Sequence, residues 1–215
     1  MKQTTRRLCE SGIFIALATV LSILKIFEFS FGGSITVLSM LPIVLLSYRH
    51  GIKWGLMCGF SYSIIQMLLG VNTISVFVLP GESQMVWWRV VLMSLLDYVL
   101  AYTSLGLGGA FAKKTPKKAL VLGVILSLGV CYFFHVLSGA VFFGTYADWF
   151  FGEVMTGGVG TYILETFTGA PLYFLYSLIY NGCYMIPEII LTVFGAAVVS
   201  SIPSVKKFNT KSNKG

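Results

Sequence analysis

The sequence predicts an all-α, polytopic membrane bundle of six transmembrane helices, with the N- and C-termini both cytoplasmic. Composition is the first reason: 56% of the 215 residues are hydrophobic and 11% are charged, whereas a soluble domain carries roughly 25% charged residues. The second is a series of apolar runs close to the ~20 residues that a helix needs to cross a bilayer. The third is the distribution of positive charge, which assigns the two sides of the membrane.

Six apolar runs predict six spans within one domain, residues 1–204, followed by a basic cytoplasmic tail, residues 205–215. The second run is short, and its Pro42 can bend or interrupt a helix. Two runs are longer than a bilayer requires, so those helices are expected to tilt or to project beyond the hydrocarbon. Two adjacent runs are easily misjudged by hydropathy, so five or seven spans are alternatives. The predicted spans are residues 11–30, 35–50, 52–70, 86–112, 118–146 and 171–200.

Lysine and arginine occupy alternate connections between these runs, which is the pattern that an even number of spans with cytoplasmic ends requires. Thirteen of the 15 basic residues fall in four groups: Lys2, Arg6 and Arg7; Arg49 and Lys53; Lys113, Lys114, Lys117 and Lys118; and Lys206, Lys207, Lys211 and Lys214. Residues 71–85 and 147–170, on the other side, contain no Lys or Arg. The net charge of +7 is therefore a topology signal, and nucleic acid is not an expected partner.

Polar residues of three predicted spans lie at a similar depth in the outer half of the bundle. Counting the helical rise of 1.5 Å per residue places Asp97 roughly 15 Å and His135 roughly 12 Å below the outer end. On the same scale Tyr176 and Asn181 lie roughly 8 and 15 Å deep. The aromatic residues expected around them are Tyr98, Trp87, Trp88, Phe142, Phe143 and Tyr146. An outward-facing aromatic pocket with one carboxylate suits a small, flat cation.

Each of these residues also has a purely structural interpretation. Asp97 could instead pair with Arg89 or His135 and so hold the bundle together. Tyr176 and Asn181 could be ordinary hydrogen-bonding residues between helices. Their common depth favours a binding site.

Other polar residues in the apolar runs have weaker interpretations. Lys25 and Glu28 are three residues apart on the first span and can pair on a helix. Gln66 in the third span can approach the site from another side. Glu188, beside Pro187, is expected to meet a cytoplasmic partner or to satisfy a kinked backbone.

Catalytic signatures are absent from the sequence. It contains no Gly-rich phosphate loop with Lys, no HExxH and no Gly-x-Ser-x-Gly. The four cysteines have no metal-ligand spacing. A binding role is therefore expected rather than an enzyme, without a cofactor or a metal.

Four stretches carry a resemblance to a known family: GGSITVLSMLPIVLLSYRHG (residues 32–51), LLDYVLAYTSLGLGGAFA (residues 95–112), HVLSGAVFFGTYA (residues 135–147) and YSLIYNG (residues 176–182). On these stretches the chain resembles the thiamine-specific substrate-binding (S) component of energy-coupling factor (ECF) transporters. The likeness extends over nearly the whole chain.

The resemblance implies a thiamine pocket in the outer half, with the loop between the first two spans as its lid. The implied contact residues are Asp97, Tyr98, His135, Phe143, Tyr176 and Asn181. In the family, a carboxylate at the position of Asp97, with Tyr98 beside it, faces the thiazolium cation and the aminopyrimidine. His135 and Phe143 are implied to flank the thiazolium, and Tyr176 and Asn181 to make polar contacts.

Two positions depart from the family pattern. The family usually has Glu where Asp97 stands, so this carboxylate is one methylene shorter. It usually has Trp where Phe143 stands, which weakens stacking and cation–π attraction. Asp97 keeps the negative charge, so a cation is still favoured, but a related vitamin or precursor is an alternative ligand.

The resemblance also implies partners in the plasma membrane of a prokaryote. These are a transmembrane coupling protein and two ATPases, with membrane lipid around the bundle. Small residues of the first span, Ser11, Gly12 and Ala16, offer a docking face for the coupling protein, although ordinary packing within the bundle would also explain them. The alternative function is a stand-alone proton-coupled thiamine carrier with Asp97 and His135 as the proton relay.

Overall fold

The computed structural model describes residues 3–29, 32–81, 83–155 and 157–206 as a helical bundle with one small β-hairpin. Its elements are α1 (Gln3–Ile23), β1 (Lys25–Glu28), β2 (Ser34–Thr36), α2 (Leu41–His50), α3 (Ile52–Leu69), α4 (Val71–Val78), α5 (Trp87–Gly109), α6 (Pro116–Phe142), α7 (Gly158–Thr166), α8 (Ala170–Val199) and α9 (Pro203–Lys206). Short helical turns, Gly144–Tyr146, Ala147–Trp149 and Phe150–Val154, connect α6 to α7. The predicted basic tail lies outside the described residues from position 207 onward.

Four helices of the described chain, α3, α5, α6 and α8, are long and apolar enough to cross a membrane. They correspond to the third, fourth, fifth and sixth predicted spans. α2 has 10 residues, a length of about 15 Å that covers half of the ~30 Å hydrocarbon core. The structure therefore supports a multi-pass membrane protein, while the count of six spans and the cytoplasmic termini stay predictions.

The prediction that the first span is helical to residue 30 is wrong. α1 ends at Ile23, and β1 then pairs with β2 in an antiparallel hairpin, with Phe27 opposite Ile35. Gly32 and Gly33, between the two strands, have φ angles of 92° and 89°, a left-handed conformation that glycine adopts without steric cost. The all-α expectation is corrected to a helical bundle with this one hairpin in the described residues.

Two further expectations about this region change with the hairpin. Lys25 and Glu28 do pair, at 2.5 Å, but both lie on strand β1 instead of a helix. Pro42 does not interrupt the second span, because it lies in the first turn of α2, where proline is favoured. The second span accordingly begins at Leu41, later than its predicted start at residue 35.

Small residues bring α2, α3, α5 and α6 close together in the core. A methyl group on Gly106 of α5 would overlap the backbone of α3 at Leu56, and one on Gly123 of α6 would overlap the backbone carbonyl of Gly108. Ser47 of α2 donates a hydrogen bond to the Gly106 carbonyl and accepts one from the Gly109 N–H. These contacts fix the C-terminal part of α5 against its neighbours.

α5 departs from regular α-helical geometry in two places. Its turn at Leu95–Leu100 is a π-helix, and its last turn, Ser104–Gly109, is a 3₁₀-helix. Asp97 and Tyr98 both lie on the π turn. Such turns are rare within α-helices and are frequently found at functional sites.

A cluster of charges ties the start of α1 to the connection between α2 and α3. The Glu10 carboxylate pairs with Arg6 at 3.0 Å, with Arg49 at 2.7 Å and with His50 at 3.0 Å. Arg49 and His50 form the last turn of α2. The cluster lies at the end of the bundle opposite the hairpin.

The close approach at Gly123 gives a test of this core. We expect Gly123→Ala to lower the free energy of unfolding by about 1–3 kcal/mol, because the new methyl group forces α5 and α6 apart. Thermal unfolding of the purified protein in detergent measures the change. Gly129→Ala is the control, since Gly129 lies on the same helix with open space beside it. An equal loss of stability in both variants would contradict the proposed packing.

Candidate functional site

One cavity of about 970 Å³ opens between the hairpin and the ends of α3, α5, α6 and α8. All six of the predicted contact residues line it, namely Asp97, Tyr98, His135, Phe143, Tyr176 and Asn181. They come together because α5 and α8 enter the bundle at the end where α6 leaves it. The cavity lies at the end of the bundle opposite the basic connections near residues 50 and 115.

Asp97 is held by two residues of α6. The Nδ1 atom of His135 lies 3.1 Å from Asp97 Oδ1, and the Ser138 hydroxyl donates to Asp97 Oδ2 at 2.7 Å. His135 and Ser138 are three residues apart and therefore share one face of the helix. These two contacts fix the carboxylate at the cavity wall.

Of the two structural partners considered for Asp97, His135 is the one that it meets. Arg89 instead donates to the backbone carbonyl of Val141 at 3.3 Å, and its guanidinium lies 5.8 Å from the centre of the Phe142 ring. Arg89 therefore does not neutralise the carboxylate. The pairing of Asp97 with His135 does not exclude a binding role, because both side chains line the cavity.

Asn181 lies beside the backbone of His135 and is already hydrogen-bonded within the protein. Its amide nitrogen donates to the Ser177 carbonyl at 2.8 Å and lies 3.4 Å from the His135 carbonyl. Its amide oxygen accepts a hydrogen bond from the Tyr184 hydroxyl. Asn181 therefore joins α8 to α6 and also lines the cavity.

Tyrosine and phenylalanine rings form the aromatic walls. Phe143 meets Phe77 of α4 edge to face at 5.2 Å, and the Tyr176 and Tyr180 ring centres are 5.7 Å apart. Tyr102 lies edge-on to His135 at 6.3 Å. These rings offer both faces and edges to a flat ligand.

Three of the six aromatic residues expected around the site do not line the cavity. Tyr146 lines the cavity as expected. Trp87, Trp88 and Phe142 do not line it, and Trp87 is 76% exposed. Trp87 and Trp88 form the first turn of α5, where tryptophan is typical of a membrane interface.

Sequence reasoning missed Ser138, Tyr180 and Tyr184. Ser138 follows His135 by three residues, and Tyr180 and Tyr184 continue the spacing of four that begins at Tyr176. Those spacings place Tyr180 and Tyr184 on the cavity face of α8 and Ser138 on the same face of α6 as His135, and they were the available signal. The sequence could not tell which hydroxyl meets which partner.

Gln66 lines the cavity, whereas Glu188 contacts the segment between α1 and α2. Gln66 of α3 lines the cavity, as expected, and donates to the Ser22 hydroxyl at 2.8 Å. Glu188 accepts hydrogen bonds from Thr36, which follows the hairpin turn. The expectation that Glu188 meets a cytoplasmic partner or a kinked helix backbone is therefore wrong.

The residues predicted for partner docking divide into two groups. Gly12 and Ala16 are exposed on α1. Ser11 is 6% exposed, donates to the Arg7 carbonyl and accepts a hydrogen bond from the Trp54 indole at 2.9 Å. Ser11 therefore faces α3 and is not on the exposed face.

The fold and the cavity together define a helical membrane protein with a cavity at one end of its bundle that suits a small, flat, cationic ligand. A carboxylate among aromatic rings attracts an organic cation through charge and cation–π contacts. The cavity volume is within the range of ~300–1,000 Å³ found for small-molecule sites.

Comparison with known proteins assigns the family. The family described as "Thiamine transporter protein (Thia_YuaJ)" matches residues 8–155. The chain belongs to this family, which is one of transport proteins and not of enzymes.

Individual relatives agree with this assignment. The chain is 31% identical to the thiamine transporter ThiT of Bacillus subtilis over 198 residues, which cover 86% of this chain and 85% of the relative. It is 27% identical over 136 residues to ThiT of Lacticaseibacillus paracasei, covering 55% of this chain and 62% of that one. A solved structure of ThiT from Listeria monocytogenes has the same fold, with a TM-score of 0.67 at 20% identity over 95% of this chain and 99% of that one.

The contact between Ser138 and Asp97 predicts that loss of the Ser138 hydroxyl weakens ligand binding. Thiamine serves as the test ligand. We expect Ser138→Ala to weaken thiamine binding about tenfold, because the loss of one hydrogen bond to a charged group releases the carboxylate from its position. Tryptophan fluorescence during thiamine titration measures the affinity. Ser127→Ala is the control, because Ser127 lies on the same helix and its hydroxyl bonds only within that helix. Unchanged affinity in Ser138→Ala would show that the contact does not position Asp97 for binding.

Proposed function

We propose that this protein is the thiamine-binding S component of an ECF-type ABC importer in the plasma membrane of a prokaryote. The observation that carries the proposal is the fixed carboxylate of Asp97 in an aromatic cavity at one end of the bundle. Membership of the thiamine transporter family supports thiamine as the ligand. The six predicted spans, with both termini cytoplasmic, place this end of the bundle outside the cell.

The chemistry of thiamine matches the cavity walls. Its thiazolium ring carries a permanent positive charge, and both of its rings are flat. We place the thiazolium between His135 and Phe143, within reach of the Asp97 carboxylate, and the aminopyrimidine near Asp97 and Tyr98. Tyr176 and Asn181 supply polar contacts. Phe143 gives weaker cation–π attraction than tryptophan would, so the charge of Asp97 contributes more of the selectivity.

The proposed transport cycle involves no chemistry on the ligand. The cavity captures thiamine at the outer face, and the hairpin between α1 and α2 closes over it. Reorientation of the whole subunit then presents the ligand to the cytoplasm. A transmembrane coupling protein and two ATPases supply the energy for that step.

The proposed docking face for the coupling protein is on α1. Gly12 and Ala16 are exposed at a spacing of four residues, which permits close approach of another helix. Leu17 and Val20 are exposed beside them. Because Ser11 is buried against Trp54, the proposed docking face keeps Gly12 and Ala16 and excludes Ser11.

The proposal is tested first by the binding of thiamine to the purified protein. We expect thiamine to quench tryptophan fluorescence. We also expect Asp97→Asn to lower the affinity for thiamine roughly a hundredfold or more, because the cation of the ligand loses the carboxylate that neutralises it. Asp148→Asn makes the same chemical change at an exposed position outside the cavity and should bind normally. Absence of quenching in the wild-type protein, together with absence of a binding heat in calorimetric titration, would exclude thiamine as the ligand. Equal losses in the two variants would exclude Asp97 as its contact.

Dependence on partners is tested by uptake of thiamine into liposomes. We expect uptake only when the coupling protein and the ATPases are present with ATP. Ala16→Trp should abolish uptake but preserve binding, because a large side chain prevents close approach of another helix at the docking face. Ile190→Trp, an exposed position on α8, is the control. Uptake by the chain alone, driven by a pH gradient, would favour the carrier that uses Asp97 and His135 as a proton relay.

A further inference from the structure

The segment between α1 and α2 lies along one face of α8. The Tyr180 hydroxyl donates to the Gly32 carbonyl at 3.1 Å. Gly33 packs against the Tyr184 ring so closely that a methyl group there would overlap it. Four residues further along α8, Glu188 meets Thr36. These three α8 residues recur every fourth position and therefore form one row on the helix surface.

Glu188 and Thr36 make the most buried of these contacts. Glu188 is 1% exposed. The Thr36 N–H donates to Oε2 at 2.7 Å, and the Thr36 hydroxyl donates to Oε1 at 2.8 Å. Because the single hydroxyl proton of Thr36 points to Glu188, the Ser39 hydroxyl, 2.7 Å away, donates to Thr36. Both carboxylate oxygens of Glu188 thus bind the end of strand β2.

The position of this contact in the bundle explains why an acidic residue is needed. Glu188 follows Asn181 by seven residues and therefore lies about 10 Å further from the outer end of α8. Backbone that is not helical at such a depth must have its N–H groups satisfied by protein. The carboxylate accepts two hydrogen bonds at once, so it satisfies the backbone and the side chain of Thr36 together.

Strand β1 contributes little to holding the segment in place. Outside the α8 row, Phe29 and Ile35 pack in part against the core. Every residue of strand β1 is exposed, including Ile26 and Phe27. Leu38 has a φ angle of 59°, which costs energy in a residue other than glycine and persists only when the surroundings impose it. Leu38 packs against Gly195 of α8. The attachment of the hairpin therefore depends on the α8 row.

The same residues border the ligand cavity. Thr36, Ser39 and Tyr184 line it, and the Tyr184 hydroxyl bonds to Asn181. We propose that the contact between Glu188 and Thr36 is a clamp that holds the hairpin closed over the cavity and so sets the rate at which ligand leaves. Glu188 is a positioning residue in this role, since it is not among the residues that line the cavity. The identity of the ligand in this inference rests on the proposed function.

Thr36→Val is the most direct test, because valine keeps the shape and the backbone N–H but removes the hydroxyl. We expect the thiamine dissociation rate to rise about tenfold, since one hydrogen bond to a charged group is lost, with the association rate unchanged. Stopped-flow fluorescence on the purified full-length protein measures both rates. In the absence of ligand, hydrogen–deuterium exchange should increase in residues 25–36 but not in α6.

Two further variants are controls for the loss of the Thr36 hydroxyl. Thr192→Val makes the same substitution on α8 at a residue that is fully buried and whose hydroxyl has no hydrogen-bond partner among the described residues. It should leave hairpin exchange unchanged. Thr36→Ser keeps the hydroxyl, so thiamine should dissociate from this variant as slowly as from the wild-type protein.

The outcomes separate the clamp from the proposed function. A wild-type protein that does not bind thiamine would contradict the function, while the exchange measurement without ligand would still decide whether the clamp exists. Unchanged exchange of residues 25–36 in Thr36→Val overturns the clamp. So does an equal increase throughout the bundle, or a dissociation rate equal to that of the wild-type protein.

Discussion

A chain inside a lipid bilayer must satisfy its own backbone hydrogen bonds, and the structure depends on how it meets this requirement. α6 and α8 do so with long helices that pack against each other. The regular helical pattern is interrupted at the hairpin segment and at the π turn of α5, and both of these line the cavity. Two of the irregular backbone segments therefore lie where a ligand needs space and polar groups.

The long helices and the depth of the site could be predicted because both follow from simple distances. An apolar run has a length, and the rise of a helix converts a residue number into a depth. This placed Asp97, His135, Tyr176 and Asn181 near one level, and all four line the cavity. The family resemblance added Tyr98 and Phe143, which no depth argument singles out from other aromatic residues.

The hairpin and the partners of the polar groups could not be predicted from the sequence. Hydropathy does not distinguish strand β1 from a continuation of α1, so the first span was extended past Ile23. Thr36 and Glu188 are separated by 152 positions, and their meeting depends on the path of the whole chain. The burial of Ser11 against Trp54 likewise depends on the rotation of α1 about its axis, which neighbouring helices determine.

The π turn of α5 has a consequence for how such a site can change during evolution. A π turn contains more residues than an α turn, so gaining or losing a single residue there rotates one half of a helix relative to the other. The C-terminal part of α5 is fixed by Ser47 at Gly106 and Gly109. A one-residue insertion or deletion at Leu95–Leu100 would thus re-aim the side chains facing the ligand and leave the core register intact.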